Sequence, residues 1–345
     1  MTNKFSPENR GSFSSTVLVT GANGQLGRRL LPRLQEAGYQ VRAHYRNAEK
    51  AAKYYKPEIK AVIGDLRSPA WIDDAVRGCD IVVHGAARVS LRLGNLAEQK
   101  AVNIDGARAV VEACLKHNVR RLIYVSTIVT VGASLDGNPV DESLLFNLAG
   151  FDIPYIDTKH EAETIALAAN SRDFEVIVVN PSIMISPPDR EVTARDLRKI
   201  PRFLPAYFDF GLNLVETDDV ISGIIAAFHR GRPGERYLLT GENVNPERLF
   251  ELAGKYFGIN KPVIKIPISA LYPVAYLVEL WAQALGKRPK FHRGLARLAH
   301  YRFFYNNEKA KRELGYTPKP LETTIENILG KLAGEESWRK KQKTR

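Results

Sequence analysis

Short apolar runs alternate with helical stretches along the first half of the chain. TVLVT (16–20), YQVRAHY (39–45), IKAVIG (59–64), DIVVHGAA (80–87), RRLIYVST (120–127) and FEVIVVN (174–180) are rich in β-branched residues and short. That combination predicts six strands. Between them RRLLPRLQEAG (28–38), SPAWIDDAVRG (68–78), 96–117 and 155–169 follow a helical pattern. Ser68 and Pro69 suit an N-cap and a first helical position. Pro32 predicts a kink in the first helix.

Repeated strand–helix units with nearly continuous apolar strands imply a parallel sheet covered on both faces. Right-handed crossovers make it a doubly wound α/β fold, with the ligand at the carboxyl ends of the strands. Beyond residue 186 the pattern changes to turn-rich and helical. The expected division is a flexible arm at 1–15 and a dinucleotide-binding domain at 16–185, to which 212–240 returns. A smaller, mainly helical substrate lobe takes 186–211 and 241–335, and a basic tail closes the chain at 336–345.

Composition adds bounds. The chain has 345 residues, 44% apolar and 26% charged, ordinary for a globular protein. Cys79 and Cys114 are too few for a disulfide framework and fit a reducing, cytoplasmic setting. The net charge of +12 is spread over clusters such as KRPKFHRGLAR (287–297) and WRKKQKTR (338–345). It reads as solvated surface, with no specific nucleic-acid signature. ISALYPVAYLVELWAQALG (268–286) is strongly apolar but carries Pro273 and Glu279. It predicts a buried or interfacial helix, leaving room for peripheral membrane contact. A monomer and a homodimer are both compatible with the sequence.

The chemistry begins at TGANGQLGRR. Gly21, Gly24 and Gly27, between a strand and a helix, form a turn that lets backbone approach a pyrophosphate at a helix N-terminus. Asn23, Gln25 and Leu26 share that turn. The second strand ends in Arg46 rather than an acid, which favours the 2′-phosphate of NADP over the free ribose hydroxyl of NAD. A tyrosine precedes a lysine by four residues in YIDTK (155–159) and in YNNEK (305–309). Tyr305 lies before a helix cap and reads as structural. Tyr155 and Lys159 share one helix face, where an ammonium lowers a phenol pKa toward neutrality and prepares it for proton transfer. Ser126 and Thr127, at the end of the fifth strand, are candidates to polarise a carbonyl. Adjacent strand residues face opposite ways, so at most one points at the site.

The glycine turn, GDL (64–66), HGAA (84–87), NIDG (103–106), YVST, YIDTK, VNPS (179–182) and KRELGYTP together resemble the extended short-chain dehydrogenases/reductases. The likeness is greatest to the dihydroflavonol 4-reductase-like and 3β-hydroxysteroid dehydrogenase-like branches. It implies a Rossmann sheet, with Tyr155 as acid/base, Lys159 as activator and ribose ligand, and Thr127 as the polar catalytic group. Ser126 is its neighbour, and Asn103 lies near the active site. It further implies Asp65 and Leu66 at the adenine, Ala86 and Ala87 along the cofactor, and Pro181, Ser182 and Ile183 beside the nicotinamide. The expected activity is NADP(H)-dependent hydride transfer on an apolar secondary alcohol, ketone or aldehyde, such as a flavonoid, steroid or terpenoid. Alternatives are a nucleotide-sugar epimerase or dehydratase that recycles NAD, and a non-catalytic dinucleotide sensor.

Overall fold

The computed structural model describes residues 15–54, 58–91, 93–186, 206–257 and 264–328. The expected arm up to residue 14, the basic tail and most of 186–211 lie outside the described residues.

Seven parallel strands form the central sheet. They are β1 (Thr16–Thr20), β2 (Gln40–Tyr45), β3 (Lys60–Ile63), β4 (Ile81–His84), β5 (Arg121–Val125), β6 (Glu175–Pro181) and β10 (Arg236–Leu239). Their spatial order is β10-β6-β5-β4-β1-β2-β3. β1, β4, β5 and β6 read as apolar runs because each feeds two cores. Val17, Val19, Ile81, Val83, Ile123, Ile177 and Val179 pack into one; Leu18, Val82, Leu122, Tyr124, Val176 and Val178 pack into the other. Helices cover both faces: α1 (Gln25–Glu36) lends Leu30, Leu31 and Leu34 to the first core, and α5 (Gly106–Lys116) lends Val110, Val111 and Cys114 to the second. Full burial of such a side chain contributes about 1.5–3 kcal/mol. Ser68 and Pro69 open α3 (Pro69–Val76) as read from sequence, the Ser68 hydroxyl accepting from Trp71 N–H at 3.4 Å.

Two local readings change. The stretch 96–117 is not one uniform α-helix: α4 (Leu96–Gln99) passes through a π-helical segment, Lys100–Asp105, before α5. The strand expected to return at Leu212 joins a separate sheet, where β9 (Leu212–Glu216) lies between β7 (Ile183–Ile185) and β11 (Glu242–Val244). The strand that does return to the central sheet is β10, beside β6. A third, two-stranded sheet pairs β8 (Ala206–Phe208) with β12 (Ile264–Ile266).

The order reverses between β1 and β4: the chain runs outward through β2 and β3 on one side and through β5 and β6 on the other. The crevice outside the carboxyl ends of β1 and β4 is the switch point where ligands of such sheets sit.

Candidate active site

The crevice is narrowed by side chain-to-backbone bonds. Thr20, the last residue of β1, accepts from Gly85 N–H at 3.1 Å and Ala86 N–H at 3.2 Å. The same hydroxyl meets His84 Nδ1 at 3.0 Å. Gly21 sits at φ +74°, and a Cβ there would lie 3.0 Å from Ala86 backbone. A Cβ on Gly27 would fall 2.4 Å from the Gly21 carbonyl oxygen, whereas one on Gly24 would meet only that oxygen, at 3.2 Å. Gly21 and Gly27 are therefore fixed by the fold, and Gly24 keeps an open side at the N-cap of α1. Asn23, Gln25 and Leu26 are partly buried around that N-terminus. The Gln25 amide donates at 3.0 Å to both Ser186 Oγ and Thr217 Oγ1, tying the turn to the residues just after β7 and β9. No acidic residue stands in the first turn of α1, so its N–H groups and dipole suit an anion.

Gly27→Ala is expected to cost about 1–3 kcal/mol of stability through overpacking. Gly24→Ala should unfold nearly as the wild type does but bind dinucleotide more weakly. Thermal unfolding and cofactor titration of the two variants check this contrast.

The adenosine end is framed by β2 and β3. His44 Nε2 bonds the Gly64 carbonyl at 2.9 Å and its ring lies 4.6 Å from that of Trp71. Asp65 is gripped by Arg67 through Nε at 3.0 Å and Nη2 at 2.6 Å, which holds its pKa down at about 2. Leu66 is buried in the second core. Arg46 is exposed at the end of β2, near enough to Asp65 for its charge to help lower that pKa. Ala86 and Ala87 are partly exposed beyond β4.

At the other end stands α6 (Pro154–Ala168). Pro154 starts it, placing Tyr155 in its first turn and Lys159 one turn on. Burial pushes the Tyr155 pKa up to about 12, the nearby Thr127 side chain opposing that rise only in part. The expectation of a phenol lowered by its lysine is corrected. Lys159 is 3% exposed and donates to the Tyr124 hydroxyl at 3.2 Å and the Val125 carbonyl at 3.1 Å. A buried ammonium turns to the acceptors that solvate it, and burial lowers its pKa to about 8, Glu163 opposing the shift. His84 is held to about 3 by burial first and then by Lys159 and His44, so it stays neutral.

Ser126 and Thr127 diverge. The Ser126 hydroxyl is 3.2 Å from Thr130 Oγ1 in a buried network. Asn103 is buried beside α6. Its amide donates to Thr158 Oγ1 at 3.1 Å and the Arg88 carbonyl at 3.2 Å, and its oxygen accepts from Arg88 N–H at 2.7 Å. That clamp holds the π-helical segment against α6. The Thr127 carbonyl accepts from Asn180 Nδ2 at 3.1 Å and Thr130 Oγ1 at 2.6 Å; Asn180 and Thr130 both bond Glu163, which is 1% exposed. Pro181 ends β6, Ile183 is 37% exposed, and the Ser182 hydroxyl is buried without a hydrogen-bond partner. An orphaned hydroxyl beside the crevice and a glycine cradle that Cβ atoms would fill both fit a nicotinamide dinucleotide.

Sequence reasoning missed Thr20, Tyr124 and Glu163. Only Glu163, one turn beyond Lys159, carried a spacing that could have marked it. YNNEK is structural: the Tyr305 hydroxyl donates to the Gly132 carbonyl at 2.6 Å, and Lys309 bonds Glu235 at 2.7 Å and the Arg236 carbonyl at 2.8 Å. Among the described residues no cluster is arranged to hold a metal ion.

The family model described as the NAD dependent epimerase/dehydratase family matches residues 17–239, the span holding the glycine turn, Thr127, Tyr155 and Lys159. The chain belongs to this family. Within this extended short-chain dehydrogenase/reductase fold, the chain is 30% identical over 325 residues to a putative dihydroflavonol 4-reductase of Synechocystis sp., covering 92% of this chain and 94% of that one. It is 33% identical over 314 residues to 4-hydroxy-2-methyl-3-oxo-4-farnesyl-3,4-dihydroquinoline-1-oxide ketoreductase of Stigmatella aurantiaca, covering 87% and 91%. The solved structure of gox2253 superposes with a TM-score of 0.78 at 31% identity, covering 92% and 97%. This family member is an NAD(P)-dependent dehydrogenase/reductase acting on hydroxyl and keto groups of a small molecule.

Proposed function

We propose that the chain is an NADP(H)-dependent reductase of an apolar ketone or aldehyde, and oxidises the matching alcohol in reverse. The observation that carries this reading is the placing of Tyr155 and Lys159 one turn apart on α6, with Thr127 just past the carboxyl end of β5 and the glycine cradle at the carboxyl end of β1 in the same sheet. The dinucleotide, when bound, supplies or accepts the hydride. The chain's own residues handle the proton and the geometry. Tyr155, protonated at neutral pH, donates its phenolic proton to the carbonyl oxygen as that oxygen gains charge. Thr127 hydrogen-bonds the same oxygen, held in place through its carbonyl by Asn180 and Thr130. Lys159 would hold the ribose hydroxyls, its ammonium solvated meanwhile by the Tyr124 hydroxyl and the Val125 carbonyl. Gly21, Gly24, Gly27 and the N-terminus of α1 take the diphosphate. Ser182 would engage the nicotinamide end, flanked by Pro181 and Ile183.

NADP preference rests on Arg46, since the neighbouring Asp65 carboxylate is already bound by Arg67. Arg46→Ala is expected to weaken NADPH about 10–100-fold, the worth of a charge-assisted bond, and to leave NADH nearly unchanged. Fluorescence titration with both nucleotides decides this; equal losses would refute the preference.

For the substrate, one relative described above is named as a reductase of a dihydroflavonol and the other as a ketoreductase of a farnesyl-bearing dihydroquinoline oxide, which supports an apolar carbonyl compound here. Residues 16–185, with 212–240, form the proposed cofactor domain; 186–211 and 241–335 form the substrate lobe. The family's own description supports a second reading, an epimerase or dehydratase that regenerates its NAD. Net nicotinamide turnover separates the two.

A further inference from the structure

The helix Leu271–Ala284 buries a narrow stripe. Leu271, Ala275 and Ala282 turn inward, the first two packing with Ala296 of the helix Arg293–Leu298. Glu279 and Gln283 aside, most of the remaining circumference is apolar and exposed. Tyr272, Val274, Tyr276 and Leu280 are exposed, as are Leu277 at 64% and Trp281 at 69%. Apolar residues scattered singly over a surface need no explanation, but a whole helix face of them marks an interaction site. Among the described residues no helix is long and apolar enough to cross a membrane. This helix has 14 residues. At about 1.5 Å per residue it would span only part of a hydrocarbon core about 30 Å thick.

The charge beside this face says what covers it. From Leu280 to Asn307 the chain contains no Asp or Glu, but carries Lys287, Arg288, Lys290, Arg293, Arg297 and Arg302. Arg293 is satisfied within the fold by Glu279 at 2.7 Å, with its guanidinium over the Tyr276 ring. Lys287, Arg288 and Lys290 remain exposed at the end of the helix. Arg288 Nη1 donates to Asn95 Oδ1 at 2.6 Å, and His292 Nε2 lies 3.0 Å from the Leu91 carbonyl. These bonds join the basic turn to the loop after β4, where Val89 is 64% and Leu91 45% exposed. Apolar helix, basic turn and apolar loop thus form one surface.

A nucleic acid would use the cations and leave the helix face in water. A second copy would cover the apolar face but meet a like-charged turn. A bilayer with anionic headgroups answers both: apolar side chains enter the interface, Trp and Tyr sit at headgroup level, and the cations meet lipid phosphates. We infer that this face seats the protein on an anionic lipid surface, with Leu277 and Trp281 inserted and Lys287, Arg288 and Lys290 against the headgroups. The surface touches the candidate site through two elements. The loop carrying Val89 and Leu91 leaves the crevice at Ala86 and Ala87, and Leu295 and Leu298 pack in the cluster that contains Tyr155. In the apolar-substrate reading proposed above, such docking brings the site to molecules dissolved in the bilayer. The lipid binding itself does not depend on that reading.

The test is co-sedimentation of the full chain with vesicles of phosphatidylcholine alone or mixed with phosphatidylglycerol. Pelleting is expected with the mixed vesicles, weaker by about tenfold or more with phosphatidylcholine, and reduced by salt. The Leu277→Glu/Trp281→Glu variant should lose binding about tenfold or more while keeping its thermal unfolding and NADPH affinity. Lys287→Glu/Lys290→Glu should lose only the preference for phosphatidylglycerol. Failure of the wild type to pellet with the mixed vesicles overturns the inference, as does equal pelleting by Leu277→Glu/Trp281→Glu. A wild-type dimer that this variant converts to monomer, with no vesicle binding by either, overturns it in favour of a second copy. Because the readout needs no turnover, a failed substrate assignment leaves the result interpretable.

Discussion

Tyr155→Phe is expected to lower ketone reduction about 10²–10⁴-fold, the usual worth of a positioned proton donor. The change removes one oxygen from a side chain that otherwise packs with Ile153, Ile156 and Leu298. Folding and NADPH affinity should therefore survive. The pH profile carries a second signature. With its pKa pushed up to about 12 by burial, the phenol stays protonated through neutral pH, so the donor form does not limit reduction there. Steady-state rates from pH 6 to 10, with binding measured in parallel, check both points. Undiminished activity in the variant would remove Tyr155 from the mechanism.

Lys159→Met should separate stability from function. The wild-type ammonium is buried, with a pKa lowered to about 8 from 10.5. That shift corresponds to a penalty of about 3 kcal/mol on the folded state at neutral pH, to order of magnitude. The sign follows from proton counting: between about 8 and 10.5 the unfolded chain binds more protons at this residue than the folded one. Wild-type stability therefore rises with pH through that window relative to the variant. At pH 7 the methionine protein should be as stable as the wild type or more so, and catalytically weak. Urea unfolding of both proteins at pH 7 and pH 10 measures the difference. A wild type that loses ground to the variant on going to pH 10 would contradict the buried-cation account.

The sheet and glycine turn were readable because their residues are constrained locally. Strands fed by two cores must be apolar throughout, and Gly21 and Gly27 have no room for a Cβ whatever the cofactor. Tyr155 and Lys159 were readable by spacing once YIDTK was placed on a helix and YNNEK before one. What the lysine touches was not, because Tyr124 lies 35 residues away and its hydroxyl reaches Lys159 only after β5 and α6 are packed. Ser126 and Thr127 could be narrowed to one outward-facing residue but not told apart until the Glu163–Thr130–Asn180 network took up the serine. Asn103 carried a family expectation, and its bonds join the Arg88 backbone to the Thr158 hydroxyl of α6. The π-helical segment was not read from the periodicity, because the sequence pattern alone does not separate one widened turn from ordinary α-helix. β9 was misassigned because its pattern suits any sheet edge; only its pairing with β7 and β11 identifies which.

The most direct test of the proposed reductase is the balance between nicotinamide and product. Purified protein is mixed with NADPH and a panel of apolar aromatic and terpenoid ketones and aldehydes, following nicotinamide absorbance while alcohol is quantified by chromatography. The account predicts stoichiometric NADPH loss and alcohol gain with at least one such carbonyl, both abolished in Tyr155→Phe. Product formed from a nucleotide sugar with no net change in nicotinamide would contradict it.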